Sequence, residues 1–520
     1  MSESGVVIGL DLGTSGVKAA AMDASGRVVK VARRAVTLMT DETGKAEQSV
    51  EEVWKAVGEV LGEMEEGHTS GGVPPAKRGS DARAICVSGA MHSVVEVDEA
   101  GNAIGNATTW ADRRCAGIAE ELRQRVDADA MYRRTGCPFS AMYHPARLRW
   151  WGKCRTGSSA GALKRPGLNF RNFRGFAAIK DVIAYRLTGR WCTDASIASA
   201  TGLMDIRTWR WDAEALALAG ITAEQLPGVI TPTQTVGQTS GGVPVIAGAS
   251  DGAMANVGAA GFEPGATVIT LGTSGAVRRI VDQPLFNDKR RTWCYVVERD
   301  RWLHGGAINS GGIAVQHAVR LGYGEGEKAW RQAHAEAATI AAGCDGLMVL
   351  PFIAGERGLI WPPEVQWTII GQRADHTPAH LVRATMEGVA FCIAAMWEVV
   401  RDEGTEGRRD EVGIGSASFT SSLRPSVPSS LPLLTGGVVR SATWRQIVAD
   451  VLDIPLLPIE AADASAIGAA MLGWRAMGVT LAPPRPACDP IVPNPQHHAK
   501  YLELFRAFHA SSQRRGWSSE

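Results

Sequence analysis

Apolar positions recur along the chain in two rhythms. From Val6 to Leu12 they run almost unbroken, interrupted by Gly9 and by one carboxylate, Asp11; a Gly13-Thr-Ser-Gly16 turn follows, then a second run from Val17 to Met22. Two such runs divided by a tight, Gly-rich turn predict an antiparallel pair of strands. Asp23-Ala-Ser-Gly26 predicts a further turn into a third strand, Arg27 to Val36. The rhythm then changes. Val50, Val53, Trp54, Val57, Val60, Leu61 and Met64 recur at helical spacing behind Ser49-Val-Glu-Glu52, a capping-box pattern. A buried strand is expected at Ala84 to Val87, after a Gly/Pro/basic loop. Three strands, a helix and a strand define an α/β layer order.

The pattern continues with a hairpin from Val94 to Ile104, a helix from Lys180 to Leu187 stopped at Thr188-Gly189, and Asp194 as a helix cap. Val243 to Asn256 reads as an apolar strand, a sharp turn, Asp251 and a helix of small residues. From Ala266 the opening pattern returns: a strand, Leu271-Gly-Thr-Ser-Gly275, and a strand to Val281, with two more strands near Trp293–Val297 and Trp302–Gly305. In this echo Thr270 stands where Asp11 stands in the first copy. Beyond it come a helix containing Gln316, a strand within Gly346–Ile353, a long apolar helix from His380 to Arg401, and a helix opened by Ser441 after Thr435-Gly-Gly437. Ala461 to Gly473 reads as a helix of small residues, and Tyr501 to Phe508 as a surface or docking helix. Gly152 to Gly175 and Gly413 to Leu434 lack periodicity and read as a surface loop and an insertion. Each half thus begins with a meander bearing a Gly-Thr-Ser turn. Two domains are expected, 1–254 and 255–520, with 413–434 inserted in the second.

A chain of 520 residues exceeds what one core accommodates, which agrees with that division. Lys+Arg and Asp+Glu both number 54, leaving no basic surplus to attract nucleic acid or an anionic membrane. The nine Cys are scattered without a C-x-x-C pair, a pattern of reduced thiols and not of a disulfide framework or zinc site. The N-terminus has no signal-peptide pattern and no apolar run approaches the roughly 20 residues a bilayer needs, so a soluble, cytoplasmic protein is expected.

The Gly13-Thr14-Ser15 turn converges backbone and hydroxyl donors able to hold phosphate oxygens, and Asp11 beside it could hold a cation that the phosphates share. The same residues would equally make an ordinary hairpin. Ser88-Gly-Ala-Met-His-Ser93 lies just past a strand's carboxyl end, where α/β proteins place ligands. His92 there could bond a polyol or carboxylate, or be structural. Thr108-Thr-Trp-Ala-Asp-Arg-Arg114 offers a ring, a carboxylate and two guanidinium groups, or a helix start capped by Asp112. Asp251, at a strand-to-helix junction, is placed to take a proton from a bound hydroxyl or to cap its helix. The Gly-Gly turn at 436–437 would let a flat base or ribose lie against backbone.

As an ordered set, these pieces resemble the FGGY family of carbohydrate kinases. The set is Gly9-Leu-Asp-Leu-Gly-Thr-Ser-Gly-Val-Lys18, Leu271-Gly-Thr-Ser-Gly275, Ser250-Asp251-Gly252, and Thr435-Gly-Gly437 with Ser441 and Trp444. Ser88-Gly-Ala-Met-His-Ser-Val94, Thr109-Trp-Ala-Asp-Arg113 and Gly248-Ala-Ser-Asp-Gly-Ala253 are similar to the family's gluconate-phosphorylating subgroup. The resemblance implies an α/β fold of two actin-like (ribonuclease H-like) domains closing on ATP and a sugar. It implies Asp251 as catalytic base and Asp11 as the Mg²⁺-associated carboxylate. It implies nucleotide contacts at Gly13, Thr14, Ser15, Lys18, Gly272, Thr273, Gly312, Gln316, Gly437 and Ser441. It implies sugar contacts at Met91, His92 and Trp110, as well as at Asp251. For a carboxylate substrate, Arg113 and Arg357 are candidate counter-charges by residue type alone. A homodimer is compatible with this reading. The segments 413–434, 152–175 and Val365-Gln-Trp-Thr368 depart from the family pattern. Alternatives are a kinase of a neutral ketose or polyol such as xylulose, an actin-like ATP-binding protein without a sugar substrate, and an inactive relative whose insertion blocks the nucleotide.

Overall fold

The computed structural model describes residues 5–65, 82–156, 173–289, 291–356, 365–401, 431–482 and 489–514. Two six-stranded sheets carry the chain. In the first, β1 (Val6–Gly13), β2 (Gly16–Asp23) and β3 (Val28–Ala35) form the expected antiparallel meander, with Gly13 opposite Gly16. β4 (Ala82–Gly89) runs parallel to β1; beyond it lie β5 (Thr235–Gln238) and β6 (Pro244–Ile246), giving the order β5-β6-β4-β1-β2-β3. The second sheet comprises β7 (Thr267–Leu271), β8 (Gly275–Val281), β9 (Trp293–Glu298), β10 (Arg301–Ile308), β11 (Leu433–Thr435) and β12 (Leu457–Pro458). Its order is β9-β10-β8-β7-β11-β12, with Leu271 opposite Gly275. In both sheets the hairpin's first strand lies between its antiparallel partner and a parallel strand (β4 or β11), so both Gly-Thr-Ser turns emerge at the carboxyl ends of parallel strands.

The helices that matter for the site are α1 (Val50–Glu65), α2 (Asp251–Ala260), α3 (Gly312–Tyr323), α4 (Pro378–Arg401), α5 (Ala442–Leu452), α6 (Ala464–Ala476) and α7 (Pro495–Arg514). Ser49 Oγ accepts the Glu52 N–H at 3.2 Å, half of the predicted capping box. The Glu52 carboxylate, instead of returning to the cap, accepts from Thr37 N–H and Oγ at 2.9 Å and ties the helix to the end of β3. α1 packs on β2 and β3, while α6 packs on β1, β2 and β4. Both faces of the sheet are therefore covered, which is why β1 reads as a continuous apolar run and not as an alternation.

α6 lies so close to its neighbours that side chains would collide. A Cβ on Gly9 of β1 would sit 1.9 Å from the Ala466 carbonyl oxygen, and one on Gly258 of α2 1.9 Å from the Ala464 carbonyl oxygen. Reciprocally, a Cβ on Gly468 would fall 2.0 Å from the Met254 carbonyl oxygen. The small-residue composition of α6 and α2 is thus a packing requirement. It joins the two ends of the chain in one apolar cluster that includes Val7, Val257, Ile280, Ala469 and Trp474.

α4 forms the core of the second domain. Among the described residues it is the one helix long and apolar enough to cross a membrane, but 89% of its apolar window is buried inside the protein, so it is a core helix. α7 corrects an expectation. It is longer than predicted, and its Tyr501, Phe505 and Phe508 are buried in the same core beside Phe391 of α4. The Tyr501 hydroxyl donates to Glu387 and accepts from Arg383, both at 2.9 Å.

Two predicted loops are also amended at their ends. Residues 152–156 complete the helix His144–Thr156, and Phe173–Ala177 is a strand, with 157–172 outside the described residues. Of 413–434, Leu433 and Leu434 belong to β11 and are buried, while the span up to 430 lies outside the described residues, as does Arg357. Thr368, in the stretch that departs from the family pattern, opens a strand paired with Met348–Leu350.

Candidate active site

The first turn is held from beneath. Gln48 Nε2 donates to the carbonyls of Gly13 (3.2 Å) and Thr14 (2.8 Å), Val36 N–H to that of Ser15 (3.2 Å), and Ala90 N–H to that of Leu12 (2.9 Å). Every carbonyl from Leu12 to Ser15 is engaged by the protein's own donors. Asp11, two residues before the turn, is buried; its Oδ1 accepts from Ser88 Oγ at 3.0 Å and its Oδ2 from Ser465 Oγ at 2.6 Å. Lys18 faces it across the hairpin. Burial raises the Asp11 pKa, against the lowering by Ser465, the Lys18 charge and Ser88.

Asp251 is the first residue of α2. A strand can turn this sharply into a helix because Gly248 has φ +77°, where a Cβ would lie 1.8 Å from the Val87 carbonyl oxygen. Behind the junction lies a buried polar chain. Lys180 Nζ bonds Asp194 (2.6 Å) and the Ala247 carbonyl (2.5 Å), and Ser196 Oγ donates to Ser250 Oγ (3.0 Å) and accepts Ser250 N–H (3.1 Å). Asp194 also caps its own short helix through Ile197 N–H, as its sequence context predicts.

Asp251 Oδ1 accepts N–H bonds from Gly252 (2.7 Å) and Met91 (3.2 Å). Its pKa is pushed up to about 6, chiefly by burial and then by the Asp11 charge, with the two N–H bonds and Arg278 opposing. A carboxylate titrating near 6 at a helix N-terminus is a usable general base at neutral pH.

The Met91 N–H bond ties the 91–92 loop to this carboxylate. His92 is buried with φ +63°, a left-handed conformation costly outside Gly. Its Nδ1 lies 2.7 Å from the Ala200 carbonyl, which can only accept, so Nδ1 is the protonated nitrogen. Its ring packs edge-on against Tyr143 and Tyr295, whose hydroxyls bond each other at 2.8 Å across the two domains. Trp110 lies exposed, and Arg113 Nη2 reaches the Ala354 carbonyl of the second domain at 3.5 Å. Asp112 does not cap the following helix, whose N-cap is Cys115. It pairs instead with Arg114 and accepts the Ala46 N–H at 3.2 Å.

The second turn is knitted to α3. Gly312 N–H donates to Gly272 O at 2.6 Å, and the N–H groups of Gly311 and Ile313 donate to Thr273 O at 3.1 and 3.2 Å. Gly436, at φ +96°, packs where a Cβ would be 2.4 Å from the Leu271 carbonyl oxygen, which brings Gly437 beside the same turn. Thr270 Oγ1 is bonded by Thr435 Oγ1 (3.1 Å) and by Arg278 Nη1 (3.2 Å). Gln316 of α3 lines a cavity of about 550 Å³ with Ile313, Trp330 and Ile353. Ser441 caps α5 through Trp444 N–H (3.2 Å) and meets His334 Nδ1 at 2.9 Å, so its hydroxyl is already engaged within the protein.

The structure thus gathers Asp11, Lys18, Met91 and Asp251 around the first turn, and Gly272, Thr273, Gly312 and Gly437 around the second. Gln48, Arg278 and Ser465 are additions that no sequence motif pointed to.

This frame is that of a two-domain carbohydrate kinase. Residues 6–258 match the N-terminal domain and residues 267–477 the C-terminal domain of the FGGY family of carbohydrate kinases, and the chain belongs to that family. It is 30% identical to a gluconokinase of Bacillus subtilis over 494 residues, 91% of this chain and 88% of that one. Among solved structures it resembles gluconate kinase from Lactobacillus acidophilus at a TM-score of 0.82 and 26% identity, covering 98% of this chain and 97% of the other. A ligand-bound xylulose kinase from the same organism is equally similar, with a TM-score of 0.82 and 26% identity over 98% of both chains. The protein is therefore a phosphotransferase with an alcohol acceptor.

Proposed function

We propose that this kinase phosphorylates a sugar acid, D-gluconate, at its terminal hydroxyl to give 6-phospho-D-gluconate. What carries the reaction is the position of Asp251, half-buried at the start of α2 with its carboxylate oriented by two N–H donors. In this reading Asp251 orients the acceptor hydroxyl and takes its proton as the oxygen attacks the γ-phosphorus of ATP. Gly13, Thr14, Ser15 and Lys18 hold phosphate oxygens on one side, and Gly272 and Thr273 on the other. Gly312, Gln316, Gly437 and Ser441 surround the nucleoside end, Ser441 by closing α5. Met91, His92 and Trp110 line the sugar side. Phosphoryl transfer needs positioning and charge neutralisation more than covalent help from the protein. Domain closure excludes water, which would compete as acceptor.

The residues fit a magnesium ion. Asp11 is a buried carboxylate and Asp251 a half-buried one that feels the Asp11 charge, and Mg²⁺ is commonly held by one or two carboxylates together with substrate phosphates. Asp11 would hold it, with Ser88 and Ser465 fixing the carboxylate; the ion would supply charge neutralisation of the phosphates.

The substrate rests on the wording of the Ser88–Val94, Thr109–Arg113 and Gly248–Ala253 motifs and on the gluconokinase likeness. Arg113 is the candidate counter-charge for the carboxylate. A panel of gluconate, xylulose and glycerol with Mg·ATP, read by ADP release, tests the assignment. Gluconate should exceed the neutral acceptors in kcat/KM by about tenfold or more, the scale of one well-placed ionic contact, and Arg113→Gln should raise its KM. Equal or better turnover of xylulose would replace gluconate with a neutral ketose, the reading favoured by the equal likeness to a xylulose kinase.

A further inference from the structure

Strand β8 alternates its side chains between two faces, like any strand. Ile280 lies on the face that meets α2, in one apolar cluster with Met254 and Val257. Arg278 is two residues nearer the turn and so lies on the same face, level with the start of α2. Its guanidinium is found there. Nη1 donates to Thr270 Oγ1 at 3.2 Å, and Nε is 3.8 Å from where a Cβ on Gly252, the residue after Asp251, would lie. The side chain therefore crosses from the second sheet to the N-terminus of α2 and stands between the second turn and Asp251.

The charges of the two turns explain what a cation does at this point. On the first hairpin Asp11 faces Lys18, so the pair is neutral. On the second, neutral Thr270 takes the carboxylate's place and is bonded to Arg278, whose charge also acts on the Asp251 carboxylate. A phosphoryl group leaving a triphosphate gripped by this second turn, for a hydroxyl held at Asp251, must pass the guanidinium. The planar, permanently charged arginine fork suits phosphate oxygens.

We propose that Arg278 is a phosphoryl-contacting residue of this kinase: it grips the oxygens of the γ-phosphoryl group during transfer and links the second turn to the catalytic base. The inference rests on the proposed reaction with Asp251 as base. In that step the bond between the γ-phosphorus and the β–γ bridging oxygen breaks, and a bond from phosphorus to the acceptor oxygen forms. The acceptor proton goes to Asp251, and ADP departs with the bridging electron pair. Arg278 exchanges no proton.

The test uses the full chain with Mg·ATP and the best acceptor of the panel, comparing wild type, Arg278→Met and Arg278→Lys. An arginine that stabilises phosphoryl transfer is typically worth about 10³–10⁵ in rate. The expectation is a kcat loss of about a hundredfold or more in Arg278→Met, a smaller loss in Arg278→Lys, and acceptor KM within about threefold in both. Calorimetry supplies a readout without turnover. With acceptor present, fluoroaluminate should tighten Mg·ADP binding to wild type at least about tenfold, as expected of a transition-state mimic, and should do so far less in Arg278→Met.

Mg·ADP affinity alone and the thermal midpoint report whether a variant is folded. Should Arg278→Met not fold, a wild-type kcat and fluoroaluminate response in Arg278→Lys overturns the inference, and their loss supports it. A kcat within threefold of wild type in folded Arg278→Met, or a loss confined to acceptor KM, also overturns it. If the wild type phosphorylates no acceptor, the proposed function falls and takes this inference with it. If the wild type is active and the variants match it, only the role of Arg278 falls.

Discussion

The first and second Leu-Gly-Thr-Ser-Gly turns are built on one frame, each leaving the middle of a six-stranded sheet beside a parallel strand. Their surroundings differ in kind. The first carries a buried carboxylate held by two serines, one from the neighbouring strand and one from a helix near the far end of the chain. The second has a threonine in that place, bonded to Thr435 and to an arginine. A duplicated scaffold has thus been given different electrostatic surroundings by very few residues, an acid facing a lysine at the first turn and a neutral hydroxyl bonded to an arginine at the second. In the proposed reading the first side holds a cation as well as phosphate oxygens, the second holds phosphate oxygens alone, and Asp251 stands between them on α2.

Replacing Asp251, the proposed base, should have the largest effect, because in that proposal both turns serve the transfer it starts. Asp251→Asn keeps the shape and the N-terminal position while abolishing proton acceptance, and kcat should fall about 10²–10⁴-fold, the range of general-base contributions. Mg·ATP affinity by calorimetry should stay near wild type. The pH profile gives the same residue a second test. A carboxyl group with its pKa at about 6 is the active, deprotonated base above that value. The wild-type kcat/KM should therefore fall as pH drops through about 6, and the residual activity of Asp251→Asn should lack this limb. Near-normal turnover in the variant would remove Asp251 as base.

Next in size is a change that makes the first turn a copy of the second. Asp11→Thr leaves Lys18 without its facing carboxylate, and Ser88 and Ser465 without their acceptor. Activity should fall by about a hundredfold, of the order of the several kcal/mol attributed to a metal-held charge. Excess Mg²⁺ should restore part of it. An unchanged Mg²⁺ requirement would mean that the two turns do not differ in the way their residues indicate.

The frame of this comparison was legible in the sequence, and its wiring was not. Turn chemistry and local apolar rhythm are sufficient to predict β1, β2, β7, β8, α1 and the junction at Asp251, because each depends on residues close together in the chain. Ser465 is 454 residues from the carboxylate it bonds, and nothing in the small-residue pattern of α6 states which strand that helix covers. Arg278 reads locally as one of two ordinary strand arginines; only the packing of Ile280 on α2 shows where it points. Gln48 sits in a short strand whose role is clear only once the turn lies above it. The cap reading of Asp112, one of two that its local sequence allowed, fails because Glu47, which shares Arg114 with it, is remote in sequence. The burial of α7 escaped for a similar reason. A helical pattern shows an apolar face but not what covers it.

The reverse swap is a milder test. Thr270→Asp would set a carboxylate within reach of Arg278, cancel the positive charge beside the second turn and face the phosphates with a like charge. ATP KM should rise about tenfold, the equivalent of roughly 1.4 kcal/mol, a plausible scale for one charge in a half-buried site. Because the effect is electrostatic, it should shrink as ionic strength rises. A KM that rises equally at all salt concentrations would point to steric damage instead.

The finest discrimination concerns Ser465, since it separates the carboxylate from its support. Its hydroxyl donates to Asp11 Oδ2 at 2.6 Å from α6, while Ser88 serves Oδ1 from β4. Ser465→Ala removes one donor and leaves the carboxylate in place; alanine also suits a helix already packed at backbone distance. The donor lowers the Asp11 pKa, so its loss should raise that pKa further and leave the side chain less firmly oriented. Residues that hold a metal-binding side chain in position typically affect metal affinity about 10–100-fold, and the surviving Ser88 bond places this case at the lower end. The Mg²⁺ concentration giving half-maximal rate should therefore rise several-fold to tenfold, with kcat at saturating Mg²⁺ and the acceptor KM little changed. Equal shifts in Ser465→Ala and in a Ser88→Ala control would show that both oxygens share the task. A shift in kcat without one in the Mg²⁺ requirement would show that Ser465 positions α6 against β1 and not the ion.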